Sequence, residues 1–270
     1  LGPIGTYTDE ASYLYAPSAE RVPFASLGLV TSALEEGNVD EAVVPIENSL
    51  GGTVIEVVDF LITSEKSQIK GEFLLPIDHC LITRPGVKLS DIKVVVSKQE
   101  ALTQCRQFLA RELRFAEQVP ATSTALAVVD LKEADDRTAA IGPRRAAELA
   151  GLPVLANGIQ DRKNNVTRFA VLASSSMPPS GSDKTTIAFD FDKSDAPGLV
   201  YGAMRPFADR GINLTKIESR PTGTGMGNYI FLLDLEGHID EPHVQQAITE
   251  LQRHTSTFKV LGAYPRAEGM

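Results

Sequence analysis

Hydroxyl, amide, carboxylate and guanidinium side chains gather in four short stretches. They are Gly2-Pro3-Ile4-Gly5-Thr6-Tyr7-Thr8, Val44-Pro45-Ile46-Glu47-Asn48-Ser49, Ser97 with Gln104, and Asn164-Asn165-Val166-Thr167-Arg168-Phe169. All sit at the ends of expected helices or strands, and groups of these types work by hydrogen bonding and proton donation. Each also has a plain structural use. Gly2 and Gly5 suit turns, Thr6 and Ser97 suit helix caps, and Glu47-Asn48-Ser49 can close a strand by local hydrogen bonds. Ser97 and Gln104 lie seven residues apart, two helical turns, so the spacing predicts one shared face with Ala101 and Phe108. Gln104 interrupts an otherwise apolar set of Ala101, Leu102, Cys105, Phe108 and Leu109. A polar side chain there finds a core partner or lines a cleft.

Metal chemistry is not indicated. His79, His238, His243 and His254 form no i,i+3 or i,i+4 pair, and no Cys-x-x-Cys accompanies them, so no zinc site is expected. Composition bounds the setting further. With 270 residues, 43% hydrophobic and 23% charged, the chain has ordinary globular make-up and room for two domains. The net charge is −9, and no Lys/Arg cluster exceeds a pair, which disfavours nucleic acid as a partner. No apolar run approaches the roughly eighteen residues of a membrane span, and no secretory signal opens the chain. Cys80 and Cys105 are too few for a disulfide framework and read as reduced core thiols of a cytoplasmic protein. The chain opens Leu1-Gly2-Pro3 without Met, from which residues missing upstream are expected.

The elements that must position these residues fall into two parts. Ser174 to Ser182 is almost entirely Ser, Pro and Gly and reads as a linker. It divides a first domain, 1–176, from a second, 183–270, with 177–182 between them. The second domain parses as βαββαβ, the ferredoxin-like arrangement. Its strands are expected at Lys184–Phe191, Ile212–Ser219, Asn228–Leu235 and Thr257–Ala263. Asp195 and Pro197 should open one helix that Gly211 stops, and a second helix should run from Glu241 to His254. The first domain alternates strands and helices, which argues α/β layering. Helices are expected at Leu27–Glu36 (capped by Ser26, stopped by Gly37), Thr53–Ile62, Ser97–Arg111, from Ser123 and from Pro143. Ser97 and Glu100 form a capping-box pattern. Extended segments are expected at Ala42–Ile46, Gly71–Thr83, Val94–Val96 and Ala139–Ile141.

Taken in order, the motifs resemble those of prephenate dehydratases over nearly the whole chain. Gly-Pro-x-Gly-Thr-Tyr-Thr is similar to the family's first loop. Val44 to Ser49, with Gly51 and Asp59, is similar to its second, and Ser123-Thr124-Ala125 to its third. Ile159-Gln160-Asp161 followed by Asn165-x-Thr167-Arg168-Phe169 resembles the Thr-Arg-Phe signature. Gly211 to Pro221 resembles the ACT regulatory module. Two departures stand out. Ser97-Lys98-Gln99-Glu100 replaces the family's Ser-His-Pro-Gln, and only Leu1 remains of the strand that usually precedes the first motif.

The resemblance implies an α/β catalytic domain with two lobes like those of periplasmic binding proteins, followed by an ACT domain. It implies conversion of prephenate to phenylpyruvate with loss of water and carbon dioxide. Departure of both groups makes the ring aromatic, so no cofactor or metal is needed. Thr167 would act at the leaving hydroxyl, and Arg168 would anchor a carboxylate through its planar fork. Thr6, Glu47, Asn48, Ser49, Ser97, Gln104, Thr124 and Phe169 would complete the site. L-Phenylalanine would be the effector, held by Gly198-Leu199-Val200, Glu218-Ser219 and, from a neighbouring copy, Asn213-Leu214. Without an effector role, Gly198 would only ease packing, and Glu218 and Arg220 would form a surface ion pair. Because a βαββαβ sheet has one face without helices, self-association of ACT domains into a dimer or tetramer is expected. Two other readings stand beside this one. Arogenate can replace prephenate as substrate, and a two-lobed small-molecule binding protein could share the fold. Thr167-Arg168-Phe169 together with Glu47-Asn48-Ser49 favours the enzyme.

Overall fold

A computed structural model describes residues 1–191, 196–222 and 229–267. Helix α1 (Tyr7–Tyr15) begins where Thr6 Oγ1 accepts the Asp9 N–H at 3.2 Å, and α2 (Leu27–Glu35) follows Ser26, which caps Leu29 in the same way. Strand β1 (Glu41–Asn48) pairs antiparallel with β2 (Gly52–Thr53) before α3 (Ile55–Thr63). Next come β3 (Gln68–Pro76), β4 (Cys80–Ile82), β5 (Val94–Ser97), α4 (Gln99–Gln104), α5 (Arg106–Glu112) and β6 (Glu117–Pro120). The order continues through α6 (Thr124–Asp130), β7 (Thr138–Gly142), α7 (Arg144–Ala150), β8 (Val154–Ala156) and β9 (Val166–Ala173). The last six are β10 (Asp183–Phe191), α8 (Leu199–Ala208), β11 (Leu214–Pro221), β12 (Tyr229–Glu236), α9 (Pro242–Gln252) and β13 (Thr255–Pro265). Among the described residues no helix is long and apolar enough to cross a membrane.

Contacts group the chain into two units: Leu1–Val30 with Val43–Val54 and Leu74–Phe169, and Thr31–Ala42 with Ile55–Phe73 and Ala170–Met270. One sheet has the order β2-β1-β9-β3. The first unit holds the sheet β6-β5-β7-β4-β8, parallel around β5 and antiparallel at β4. Its central strands are apolar but for Ser97 and Thr138 at their ends, because both faces are covered. On β7, Ala139 and Ile141 join Leu102, Cys105 and Leu109, whereas Ala140 joins Ala125, Val128 and Ala146. Gly142 ends that strand against α6, where a Cβ would stand 2.6 Å from Val128 and 2.9 Å from the Thr124 carbonyl.

Two expected elements are broken. The extended run Gly71–Thr83 divides into β3 and β4, which lie in different sheets. The helix Ser97–Arg111 divides at Cys105, whose φ and ψ are −110° and 14°. Nor is Ser97 its cap. Ser97 is the last residue of β5, fully buried, with its hydroxyl donating to the Ile141 carbonyl at 2.6 Å. Lys98 occupies the N-cap position and makes no side-chain capping bond, so the capping-box pattern is not realised. Ser97 and Gln104 therefore do not share a helix face.

In the second unit the βαββαβ order forms the sheet β11-β12-β10-β13, antiparallel throughout. One face buries Ile187, Phe189, Leu233 and Leu235 against Phe207 of α8 and Val244, Ile248 and Leu251 of α9. Helix α8 starts after Gly198, at φ 86°, so Pro197 precedes the helix instead of opening it. The cap expected at Asp195 and the loop from Gly223 to Asn228 lie outside the described residues. The sheet's other face is not bare, contrary to expectation. Lys184 pairs with Glu72 at 2.7 Å, Lys259 Nζ donates to the Ile62 and Ser64 carbonyls, and a Cβ on Gly262 would clash with Ile69. Residues 55–73 thus cover the face that was expected to need a second copy.

Candidate active site

Asn48, the last residue of β1, is fixed by its own backbone. Its Oδ1 accepts the N–H groups of Leu50 and Gly51 at 3.0 and 2.9 Å, a turn that Asn forms readily. Backbone N–H can only donate, so the amide nitrogen must face the other way. That nitrogen donates to Asn165 Oδ1 at 2.8 Å and Thr167 Oγ1 at 2.9 Å, with the Val166 carbonyl at 3.3 Å. Asn165 Nδ2 then donates to Gln104 Oε1 at 2.9 Å, and His79 Nε2 lies 2.9 Å from the same oxygen. Ser49 closes the corner by donating to the Asn164 carbonyl and accepting from the Val166 N–H, both at 3.0 Å.

Alternate residues of a strand face opposite ways. Asn165 and Thr167 therefore point to the side where Asn48 sits, and Arg168 points to the other. There Arg168 Nη1 pairs with Glu47 Oε2 at 3.3 Å. Thr167 and Arg168, adjacent in sequence, are thus on separate faces of β9. Phe169 is buried in the core.

Besides Phe169, three further expected site residues are placed elsewhere. Thr6 caps α1, and Thr124 is the first residue of α6 behind the Ser123 cap. Ser97 is committed to Ile141. Three others enter that were not expected as site residues. Asn165 and Tyr7 lie within the motifs, and the i,i+2 spacing of Asn165 to Thr167 places it on the same side. His79 carried no such signal. Tyr7 Oη donates to the Asp78 carbonyl at 2.8 Å, lies 3.2 Å from His79 Nδ1, and its ring meets the imidazole edge-on. Burial lowers the proton affinity of His79, against the opposing pull of the Gln104 bond and the Asp78 charge. Burial also raises Tyr7 well above 10 and pushes the Cys105 thiol up to about 12. Those three groups stay neutral near pH 7. No group of metal-ligating side chains occurs among the described residues.

In the second unit, Gly198, Leu199 and Val200 form the start of α8, and Leu214, Glu218 and Ser219 lie on the edge strand β11, with Asn213 just before it. Glu218 and Arg220 do not pair with each other. Glu218 pairs with Lys216 at 3.3 Å, and Arg220 pairs with Asp59 of α3.

Residues 1–177 match the family model for prephenate dehydratase, and residues 193–253 match that for the ACT domain. A bifunctional chorismate mutase/prephenate dehydratase of Aquifex aeolicus is 38% identical over 268 residues, 99% of this chain and 73% of its own length. Arogenate dehydratase 2 of Petunia hybrida is 36% identical, over 98% of this chain and 71% of its own. The crystal structure of a prephenate dehydratase from Arthrobacter aurescens in complex with L-Phe is 38% identical, with a TM-score of 0.89 covering 98% of this chain and 88% of that one. These likenesses bear out the two-lobed α/β fold with a ferredoxin-like ACT domain. The chain belongs to the prephenate dehydratase family, with an ACT domain after its dehydratase region.

Proposed function

We propose that residues 1–176 convert prephenate to phenylpyruvate, carbon dioxide and water, and that residues 183–270 regulate this reaction in response to L-phenylalanine. One observation carries the chemistry: Thr167 Oγ1 accepts from Asn48 Nδ2. An oxygen that accepts from a fixed amide keeps its own proton for another acceptor, and the leaving hydroxyl of prephenate needs a proton as its C–O bond breaks. Electrons from the departing carboxylate complete the aromatic ring, so the drive is intrinsic and no cofactor is invoked. Asn48, Ser49 and Gln104 supply the polar frame. Arg168 and Glu47 brace the end of β1 that presents Asn48. The carboxylate grip implied for Arg168 would require its guanidinium to share itself between Glu47 and substrate.

Assay of the purified protein with prephenate and with arogenate, following phenylpyruvate and phenylalanine separately, decides the substrate. Binding of either without turnover would favour the binding-protein reading. Thr167→Val keeps the branched shape and removes the donor, so kcat should fall about a hundredfold, the cost of one lost transition-state donor. A near-normal kcat would overturn the assignment.

The regulatory half of the proposal draws on a similar protein having been crystallised with L-Phe. We assign the effector to Gly198, Leu199, Val200, Glu218 and Ser219, with Asn213 and Leu214 from a second copy. Since residues 55–73 cover one sheet face, self-association into a dimer or tetramer must use an edge. The β11 edge, with Ile217 half-exposed, is the one we assign. Two free, buried thiols accord with a cytoplasmic setting.

A further inference from the structure

The hydrogen-bond chain that reaches Thr167 has a single consistent direction, and it ends at a histidine. The N–H groups of Leu50 and Gly51 make Asn48 Oδ1 an acceptor and Asn48 Nδ2 a donor. Asn165 Oδ1 must then accept, so Asn165 Nδ2 donates to Gln104 Oε1. The other group on that oxygen, His79 Nε2, has to donate as well. The backbone at Leu50 and Gly51 therefore selects a tautomer three side chains away. His79 carries its proton on Nε2 and leaves Nδ1 as a lone pair 3.2 Å from the Tyr7 hydroxyl, whose single proton is then shared between Nδ1 and the Asp78 carbonyl at 2.8 Å.

We infer that His79 is a positioning residue for the dehydration, holding Gln104 Oε1 by its Nε2–H and so fixing, through Asn165 and Asn48, the Thr167 hydroxyl with its oxygen accepting. This rests on Thr167 being the proton donor. The geometry supplies the reason for a ring at this position. Gln104 is the last residue of α4, and its long side chain can turn over at the amide. A turned amide would set its NH2 against that of Asn165, which cannot follow, because Asn48 is pinned by backbone. The imidazole is buried, packed edge-on against Tyr7 with ring centroids 5.9 Å apart, and its backbone N–H is held by Gln160 Oε1 at 3.0 Å. Gln160 in turn holds the carboxylate of Asp78 at 2.6 Å. Such a ring is a rigid donor that meets Gln104 at one angle only.

Two measurements test the inference. The 15N resonances of the His79 ring should report a protonated Nε2 and a bare Nδ1 at neutral pH. The opposite tautomer would overturn the proposed direction whatever the enzyme's activity. In kinetics, His79→Leu removes the donor, whereas the amide nitrogen of His79→Gln can replace Nε2–H. The Leu variant should lose about tenfold to a hundredfold in kcat at similar KM, and the Gln variant should recover most of that loss. In a Thr167→Val background the Leu change should cost less than about twofold, since residues acting through one another are non-additive. Equal losses in both backgrounds, or Gln and Leu variants alike in kcat and melting temperature, would refute the inference. If the wild-type protein dehydrates no prephenate, the functional reading fails, and the ring resonances still decide the direction of the chain.

Discussion

Asn48→Asp isolates the direction of the hydrogen bonds from the space they occupy. The two side chains are nearly isosteric, and the introduced carboxylate can still accept from Leu50 and Gly51. What changes is the second oxygen, which stands where Nδ2 donated to Asn165 at 2.8 Å and Thr167 at 2.9 Å. Thr167 is then drawn to donate to that carboxylate, which takes its proton away from the substrate. A hydrogen bond to a charged group contributes about 1.5–3 kcal/mol. Breaking it before each turnover should lower kcat about tenfold to 150-fold, at about 1.4 kcal/mol per factor of ten. The two backbone N–H groups and the Thr167 hydroxyl all favour the ionised form of the introduced carboxyl, so it stays charged at neutral pH and the loss of kcat should be flat from about pH 8 to about pH 6. Steady-state kcat against pH, with melting curves at each point, measures it. Near wild-type kcat at neutral pH, or a loss that recovers as pH falls across that range in a folded protein, would refute the argument.

Ser97→Ala should lower stability by about 1–3 kcal/mol, through loss of the buried bond to Ile141, while kcat and KM stay near wild type; a hundredfold loss of kcat without loss of stability would return Ser97 to the site. Asp59→Asn weakens the ion pair to Arg220 on β11, beside the proposed effector segment. It should shift the half-inhibitory phenylalanine concentration by about fivefold or more with the uninhibited rate retained, and an unchanged inhibition curve would exclude this pair from the coupling. Lys184→Met removes the ammonium from Glu72, whose side chain is only 2% exposed and also accepts the Ala267 N–H. Denaturant titration should show a loss of about 3–5 kcal/mol at neutral pH, and an unchanged midpoint would exclude the pair from the stability of this unit.

The second domain was legible because each of its elements keeps one period. Val244, Ile248 and Leu251 recur at helical spacing, and Ile187 and Phe189 at strand spacing, so order and faces followed from pattern. Its covered second face was not legible. Lys184, Thr186 and Asp234 look solvent-facing as residue types, and only their partners Glu72 and Tyr264 explain their burial. The active site was half legible for a related reason. Asn48, Thr167 and Gln104 stood out as polar residues at the ends of apolar runs. His79 lies just past Pro76 and Asp78, the turn-forming residues at which the run Gly71–Thr83 breaks, although its apolar flanks make it look continuous. The run is interrupted because the Ile77 N–H leaves the ladder for the Asn165 carbonyl, and the His79 N–H for Gln160. Helix 97–111 ends early in a similar way, where the Gln104 carbonyl accepts the N–H of Asp161. Both breaks are made by the segment 160–165, which leads directly into Thr167. The polar backbone of that segment had to be satisfied somewhere. By drawing on a strand and a helix at their apolar mid-runs, it turned His79 and Gln104 toward the residue they serve.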